Sequence, residues 1–199
     1  MSRDEELRLI GRAIRGHAES FRGLVDAYKE RLFAFVWRVV RDHHEAEDIC
    51  QSAFAKAYES LASYSREYAF STWLFTIAYR LSMNHLRKRR ALSGDVDFSR
   101  MSGDDEEIPD ALAGTEQARR VRDEVWAAVD RLTIVQKSAV LLFYRENKSC
   151  QEIGQILDVP VVTVKSHLHR AREKLRQHLS AELAAAWTPA EIARNARCG

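Results

Sequence analysis

Two groups of residues in this chain have types and spacing suited to chemistry on nucleic acid. Tyr64, Tyr68, Phe70 and Trp73 stand close together and lead into Arg80, Asn84, Arg87, Lys88, Arg89 and Arg90. Aromatic rings stack on unpaired bases while Arg and Lys track phosphates, so this order fits a surface for single-stranded nucleic acid. Asn84 can both donate and accept hydrogen bonds, which lets it read a base edge. The second group is Lys165, Ser166, His169 and Arg170, followed by Arg172, Lys174 and Arg176. Side chains of this kind on one helix can enter a major groove, where Lys or Arg reads guanine and hydroxyls read either edge. The bland alternative for both groups is a core helix or helical hairpin with solvated cationic faces. Nothing in the chain has the arrangement of an active site: there are no convergent carboxylates, no nucleophile beside a base and no phosphate-binding glycine loop. The sequence therefore predicts a protein that is not an enzyme and needs no cofactor.

The elements that carry the first group follow from hydrophobic spacing. Residues 3–15 predict a short helix with Leu7, Ile10 and Ile14 on one face, broken at Gly16. Residues 21–41 predict a longer one whose stripe runs through Phe21, Leu24, Tyr28, Leu32, Phe35, Val36 and Val39. Asp42 followed by Glu45 has the pattern of a capping box, so a third helix starts there and runs to about residue 61. Its inward face is Ala46, Ile49, Cys50, Ala53, Phe54 and Ala57, and Glu45, Asp48 and Gln51 lie on the other face. A fourth helix begins near Ser71, which can cap it, and packs Leu74, Ile77, Ala78, Leu81 and His85 inward. Thr76, Arg80, Met83, Asn84 and Arg87 take its opposite face. At least one ring of the aromatic group is expected in the core, Trp73 first, because it neighbours the stripe at Leu74.

The second group sits on a different plan. Residues 117–131 predict a helix through Val121, Val125 and Val129, and Thr133 caps the next one. Asn147 stands where a left-handed residue would end that helix. Ser149 with Glu152 forms a second capping box, opening a short helix with Ile153, Ile156 and Leu157 inward. Asp158-Val159-Pro160 makes a turn, with Pro160 suited to the first position of the following helix. That last long helix packs Val164, Leu168, Ala171 and Leu175. A short helix, a three-residue turn and a long basic helix make the helix-turn-helix plan.

Composition agrees with an all-α protein of two small helical domains. Three Pro, eight Gly and long helical periods leave no room for an alternating strand pattern. Apolar residues make up 46%, enough for a core in each domain. The net charge of +2 conceals segregation into basic blocks and an acidic block, which points to a nucleic-acid partner. Residues 91–116 are rich in Ser, Gly, Asp and Glu and read as a flexible acidic linker between domains at 1–90 and 117–179. Residues 180–199 are an Ala-rich tail around Trp187 and Pro189, with no assigned role. Cys50, Cys150 and Cys198 match neither zinc nor disulfide spacing, so reduced thiols are expected. His43, His44 and Cys50 are not expected to bind metal, because adjacent histidines point to different helix faces. No signal peptide or apolar run long enough for a membrane is visible, which predicts a cytoplasmic protein.

In this order and spacing, the two halves resemble a bacterial sigma factor of the extracytoplasmic-function group. The resemblance rests on residues 21–28 (FRGLVDAY), 45–54 (EAEDICQSAF) and 70–90 in the first domain. In the second it rests on 130–136 (DRLTIVQ) and 149–175, above all VTVKSHLHRAREKL. It implies a promoter-specificity subunit that binds core RNA polymerase at the clamp helices of its largest subunit and at the beta flap. It implies double- and single-stranded promoter DNA as ligands and admits an anti-sigma factor as a partner. Glu45, Asp48, Gln51 and Phe54 fall on the helix that docks on polymerase. Tyr68, Phe70, Trp73, Arg80, Asn84, Arg87 and Lys88 fall where the family captures the -10 element as it melts. Thr163, Lys165, Ser166, His169 and Arg170 fall on the helix that reads the -35 element. Arg80 stands where many members carry Asn, and Val162 replaces a usual small residue at the start of that helix. The residues themselves leave a rival open, a one-component helix-turn-helix regulator with the N-terminal helices as ligand or dimer domain.

Overall fold

A computed structural model describes residues 1–93 and 116–180, the side chain of residue 93 excepted. All regular structure among them is helical, and the chain divides into two compact units, each described by itself. Most of the expected linker, and the tail from residue 181, lie outside the described residues, as does the acidic run Asp104–Glu107.

The first unit holds α1 (Arg3–Ile14), α2 (Ala18–Val40), α3 (His43–Glu59), a 3₁₀ turn (Leu61–Ser63) and α4 (Phe70–Ser93). Local chemistry sets the breaks. The Ser2 side chain accepts from the Glu5 amide to start α1, and Gly16 at φ 90 separates α1 from α2. Arg41, left-handed at φ 56, ends α2, and the Asp42 carboxylate accepts from the Glu45 amide at 3.0 Å to start α3. Only half of the expected capping box forms, because Glu45 turns its carboxylate elsewhere. The core joins Leu24, Leu32, Phe35 and Val36 of α2 to Ala46 and Ala53 of α3 and to Phe70, Leu74, Phe75 and Ala78 of α4.

Two faces differ from those read off the sequence. In α1 the buried face is Glu6, Ile10 and Ala13, and Ile14 is 48% exposed. The Tyr28 hydroxyl donates to the buried Glu6 carboxylate, which supplies the partner that a buried charge requires. Burial, and then Glu6, hold the Tyr28 phenol well above its usual pKa. In α4 the helix starts at Phe70, so Ser71 lies inside the first turn and not at its cap. Its buried face is wider than the stripe predicts and takes in Phe75, Tyr79, Ser82 and Leu86, whereas Ile77, Leu81 and His85 are half-buried. α4 packs against both α2 and α3, so it needs more than one apolar stripe.

The second unit holds α5 (Glu116–Asp130), α6 (Ile134–Val140), a π-helical turn (Leu141–Arg145), α7 (Cys150–Leu157) and α8 (Val161–His178). Full capping boxes open α6 at Thr133 with Gln136 and α7 at Ser149 with Glu152. Asn147 is left-handed at φ 51, as its position predicts. The π turn was not legible from periodicity. It buries Leu141, Leu142 and Phe143 in succession, and the Glu146 amide closes it onto the Leu141 carbonyl at 3.1 Å. Two buried lysines are paired: Lys137 with Asp130 at 2.8 Å and Lys148 with Glu152 at 3.1 Å. The turn into α8 passes closely over α7. Asp158 is left-handed at φ 57, and a Cβ placed on Gly154 would sit 2.9 Å from the Val159 carbonyl oxygen. Pro160 is the N-cap of α8, one residue ahead of its expected place. Cys50 is a free buried thiol, and burial pushes its pKa up to about 12.

Candidate nucleic-acid and polymerase interfaces

α3 and α4 lie side by side, and their outer faces meet at a groove of about 500 Å³. One wall carries Glu45, Asp48 and Ser52 of α3, and the other carries Asn84, His85, Arg87 and Lys88 of α4. Asp48 and Gln51 are exposed, and Phe54 is half-buried at the edge of the core. Glu45 is not a free surface carboxylate: its Oε2 lies 3.1 Å from Nδ1 of His85. The other ring nitrogen of His85 is shielded from solvent and has no hydrogen-bond partner. This pair ties the helix expected to dock on polymerase to the helix expected to hold DNA. Spacing placed His85 inward and Glu45 outward, so the contact between them had no signal in the sequence.

Arg80, Asn84, Arg87 and Lys88 are all exposed, and their spacing sets them on one side of α4. The Arg87 Nη2 donates to the Asn84 Oδ1 at 2.8 Å, and its Nε donates to the Met83 carbonyl at 3.3 Å. The Asn84 carbonyl is thereby occupied and its amide nitrogen remains as a donor.

The aromatic group divides. Phe70 is fully buried, with ring centres 5.7 Å from Tyr28, 5.8 Å from Tyr64 and 5.7 Å from Trp73. It cannot stack on a base in this fold, which corrects its place among the expected DNA contacts. The ring taken by the core is Phe70, the residue that opens α4, and not Trp73, which is half-buried. Tyr68 is also half-buried, and its carbonyl accepts from the Tyr64 hydroxyl at 2.6 Å, which fixes the loop ahead of α4.

In the second unit α8 presents Lys165, Ser166, His169 and Arg170 to solvent, with Thr163 half-buried at its start. Val164, Leu168, Ala171 and Leu175 are buried beneath them. The Ser166 hydroxyl donates to the Val162 carbonyl at 3.1 Å, and His169 Nε2 lies 3.7 Å from Glu173. Val162 itself is 70% exposed, so it leads the helix without entering the core. Arg172 belongs to the core side: its Nε donates to the Tyr144 hydroxyl at 3.0 Å and its guanidinium lies 5.7 Å from the Phe143 ring centre. His167 was missed by spacing. Its Nδ1 is shielded and unpartnered, and burial, then the Arg170 charge, lower its pKa.

The argument that adjacent histidines diverge does not hold at the start of α3. The ligating atoms of His43, His44 and Glu47 lie within 4.8 Å of one another. Both histidine Nδ1 atoms are about 4 Å from the same Glu47 oxygen, at 3.9 and 4.0 Å. The site sits on the first turn of a helix, whose dipole disfavours a cation.

Two helical units, one with an exposed basic face on α4 and one with a short helix, a turn and a long basic helix, point to a DNA-binding protein. Residues 24–92 match the model of Sigma-70 region 2 and residues 122–175 match that of Sigma-70 region 4. The chain is 32% identical to the ECF RNA polymerase sigma factor SigW of Bacillus subtilis, over 83% of this chain and 91% of that protein. It is 33% identical to the RNA polymerase sigma-H factor of Pseudomonas aeruginosa, over 90% and 96% of the two chains. In fold it is similar to the sigma factor RpoE of Bartonella quintana, solved with the anti-sigma factor NepR. The TM-score is 0.67 at 23% identity, over 80% of this chain and 96% of that one. CnrH, solved with the cytosolic domain of CnrY, gives a TM-score of 0.63 at 21% identity, over 92% and 99% of the chains. The chain belongs to the extracytoplasmic-function sigma factors of bacterial RNA polymerase. It binds core polymerase and promoter DNA, directs promoter-specific initiation and is not an enzyme. The reading as a one-component regulator falls. Among the described residues no helix is long and apolar enough to cross a membrane.

Proposed function

We propose a division of this activity among named surfaces. The α3 face with Asp48 and Gln51, bordered by Glu45 and Phe54, docks on the clamp helices of the largest polymerase subunit. The loop with Tyr68, the edge of Trp73 and the face with Arg80, Asn84, Arg87 and Lys88 capture the melting -10 strand. Thr163, Lys165, Ser166, His169 and Arg170 read the -35 duplex from the major groove. Residues 1–90 and 117–179 are the working domains, and the acidic linker between them stands in for RNA along its exit path. The work is done in the cytoplasm, beside polymerase. An anti-sigma factor is a fitting partner, as NepR is for the RpoE of Bartonella quintana, which is similar in fold.

The observation that carries this reading is the bond between Arg87 and Asn84 on an exposed face. It holds the Asn84 amide outward as a donor toward a base edge and keeps a cation beside it for the phosphate. Binding of the opened strand offsets the unstacking of duplex DNA, a few kcal/mol for each step. Asn84→Ala is expected to lower permanganate reactivity of the -10 region while a gel shift on a -35 duplex is unchanged. A promoter already opened by a mismatched bubble should recover part of the loss. Equal footprints for variant and wild type would remove Asn84 from melting.

A further inference from the structure

The bundle releases α4 just after His85 and Leu86. Leu86 is buried and His85 half-buried, and residues 87–92 are all exposed. The last turn that the first unit grips therefore adjoins Asn84, Arg87 and Lys88. Leu86 sets how closely the helix sits on the core, but apolar contact has no preferred direction and leaves rotation about the helix axis loose. A hydrogen bond is directional. Nδ1 of His85 lies 3.1 Å from Oε2 of Glu45, so a directional contact crosses from α4 to α3 where the grip ends.

Histidine is a poor choice at this position for stability alone. With Glu45 as acceptor, the ring proton belongs on Nδ1. Nε2 is then left shielded from solvent and without a partner. A buried polar atom without a partner costs stability, and an apolar side chain of similar size would fill the place without that cost. Glu45 would lose little by release, because its side chain is 42% exposed and can return to water. The cost at Nε2 accompanies a gain in geometry: the ring holds α4 against α3 one residue from Asn84 and two from Arg87.

We propose that His85 is a positioning residue for capture of the opened -10 strand. Its bond to Glu45 fixes the rotation of α4, so that Asn84 and Arg87 face the strand while α3 is docked on polymerase. His85 touches neither base nor phosphate and acts through its neighbours. This role rests on the division of surfaces proposed above and supplies the link by which the two faces of the first unit act together.

The full chain bound to saturating core polymerase tests this. His85→Leu removes the donor and keeps the bulk, whereas His85→Asn keeps a donor near the place of Nδ1. Permanganate reactivity of the -10 region is read beside the thermal unfolding midpoint of the free chain. His85→Leu should lower the reactivity several-fold with the midpoint unchanged or raised, and His85→Asn should recover most of the loss. Adding Glu45→Ala to His85→Leu should cost no further reactivity at saturating core, because the bond is already gone. Wild-type reactivity in His85→Leu overturns the proposal. A loss that His85→Asn leaves unrepaired also overturns it, since shape and not the bond would then matter. Asn84→Ala is the control for the underlying reading. If it reacts like wild type, α4 does not hold the strand and both fall. If it fails while His85→Leu does not, only the role of His85 falls.

Discussion

The two units use similar residue types in different places. In the first, aromatic residues and cations adjoin along one stretch, yet the fold separates them: Phe70 is in the core, Trp73 is at its edge and Arg80 and Asn84 are outside. One acidic residue of the face proposed to dock on polymerase, Glu45 of α3, is tied to His85 of α4. In the second unit the expected reading residues remain on the exposed side of α8, and the buried stripe beneath them is the predicted one. The difference lies in how wide a face each helix buries, not in how many helices it touches. α4 packs on α2 and α3 and buries a wide face that takes in Phe70, Leu74, Phe75, Ala78, Tyr79 and Leu86, whereas α8 packs on α5, α6 and α7 through the single stripe Val164, Leu168, Ala171 and Leu175 and leaves its outer face open. Aromatic residues are therefore ambiguous markers of function where a helix buries a wide face, and polar residues outside a single buried stripe are the ones whose exposure spacing predicts.

The strongest way to break this comparison is Phe70→Ala. A fully buried ring that holds Tyr28, Tyr64 and Trp73 together should cost about 3–5 kcal/mol of first-unit stability. Tyr68→Ala should change stability by no more than about 0.5 kcal/mol and weaken binding to a bubble promoter. Urea unfolding beside a filter-binding assay separates the two, and similar behaviour of both variants would erase the distinction between core ring and contact ring. Gly154→Ala sharpens the second half. The added methyl meets a backbone oxygen under α8 and should cost about 1–3 kcal/mol, read as an earlier unfolding midpoint.

Arg170→Ala leaves stability alone and addresses the open face of α8. It should cost roughly 1–3 kcal/mol on a matched -35 element if Arg170 reads a base. If it touches phosphate only, the loss is uniform across sequences and the salt slope falls by about one. The smallest effect concerns His167. Its pKa is lowered in the folded state, by burial and then by Arg170, so the unfolded chain takes up the proton first as pH falls. Stability of the second unit should therefore be intact at neutral pH and decline as pH falls below about 6.5. His167→Gln should flatten that decline in unfolding midpoints measured from pH 7.5 to 5.5, and an unaltered pH profile would show that His167 is not its source.

Much of this protein was determined by local sequence. Helix starts at Ser149 and Thr133, the left-handed stop at Asn147 and the core of α8 depend on contacts within a few residues, which spacing encodes directly. The family resemblance likewise follows from motifs read in order. What spacing could not supply was any choice that depends on a partner far along the chain. Glu6 is buried because Tyr28 receives it, Glu45 abandons its capping box because His85 is near, and Phe70 rather than Trp73 fills the space beside Tyr28. Hydrophobic periodicity measures one helix at a time, whereas burial is a property of the space between helices. Tertiary packing alone decided which predicted contacts face outward and which hold the fold together.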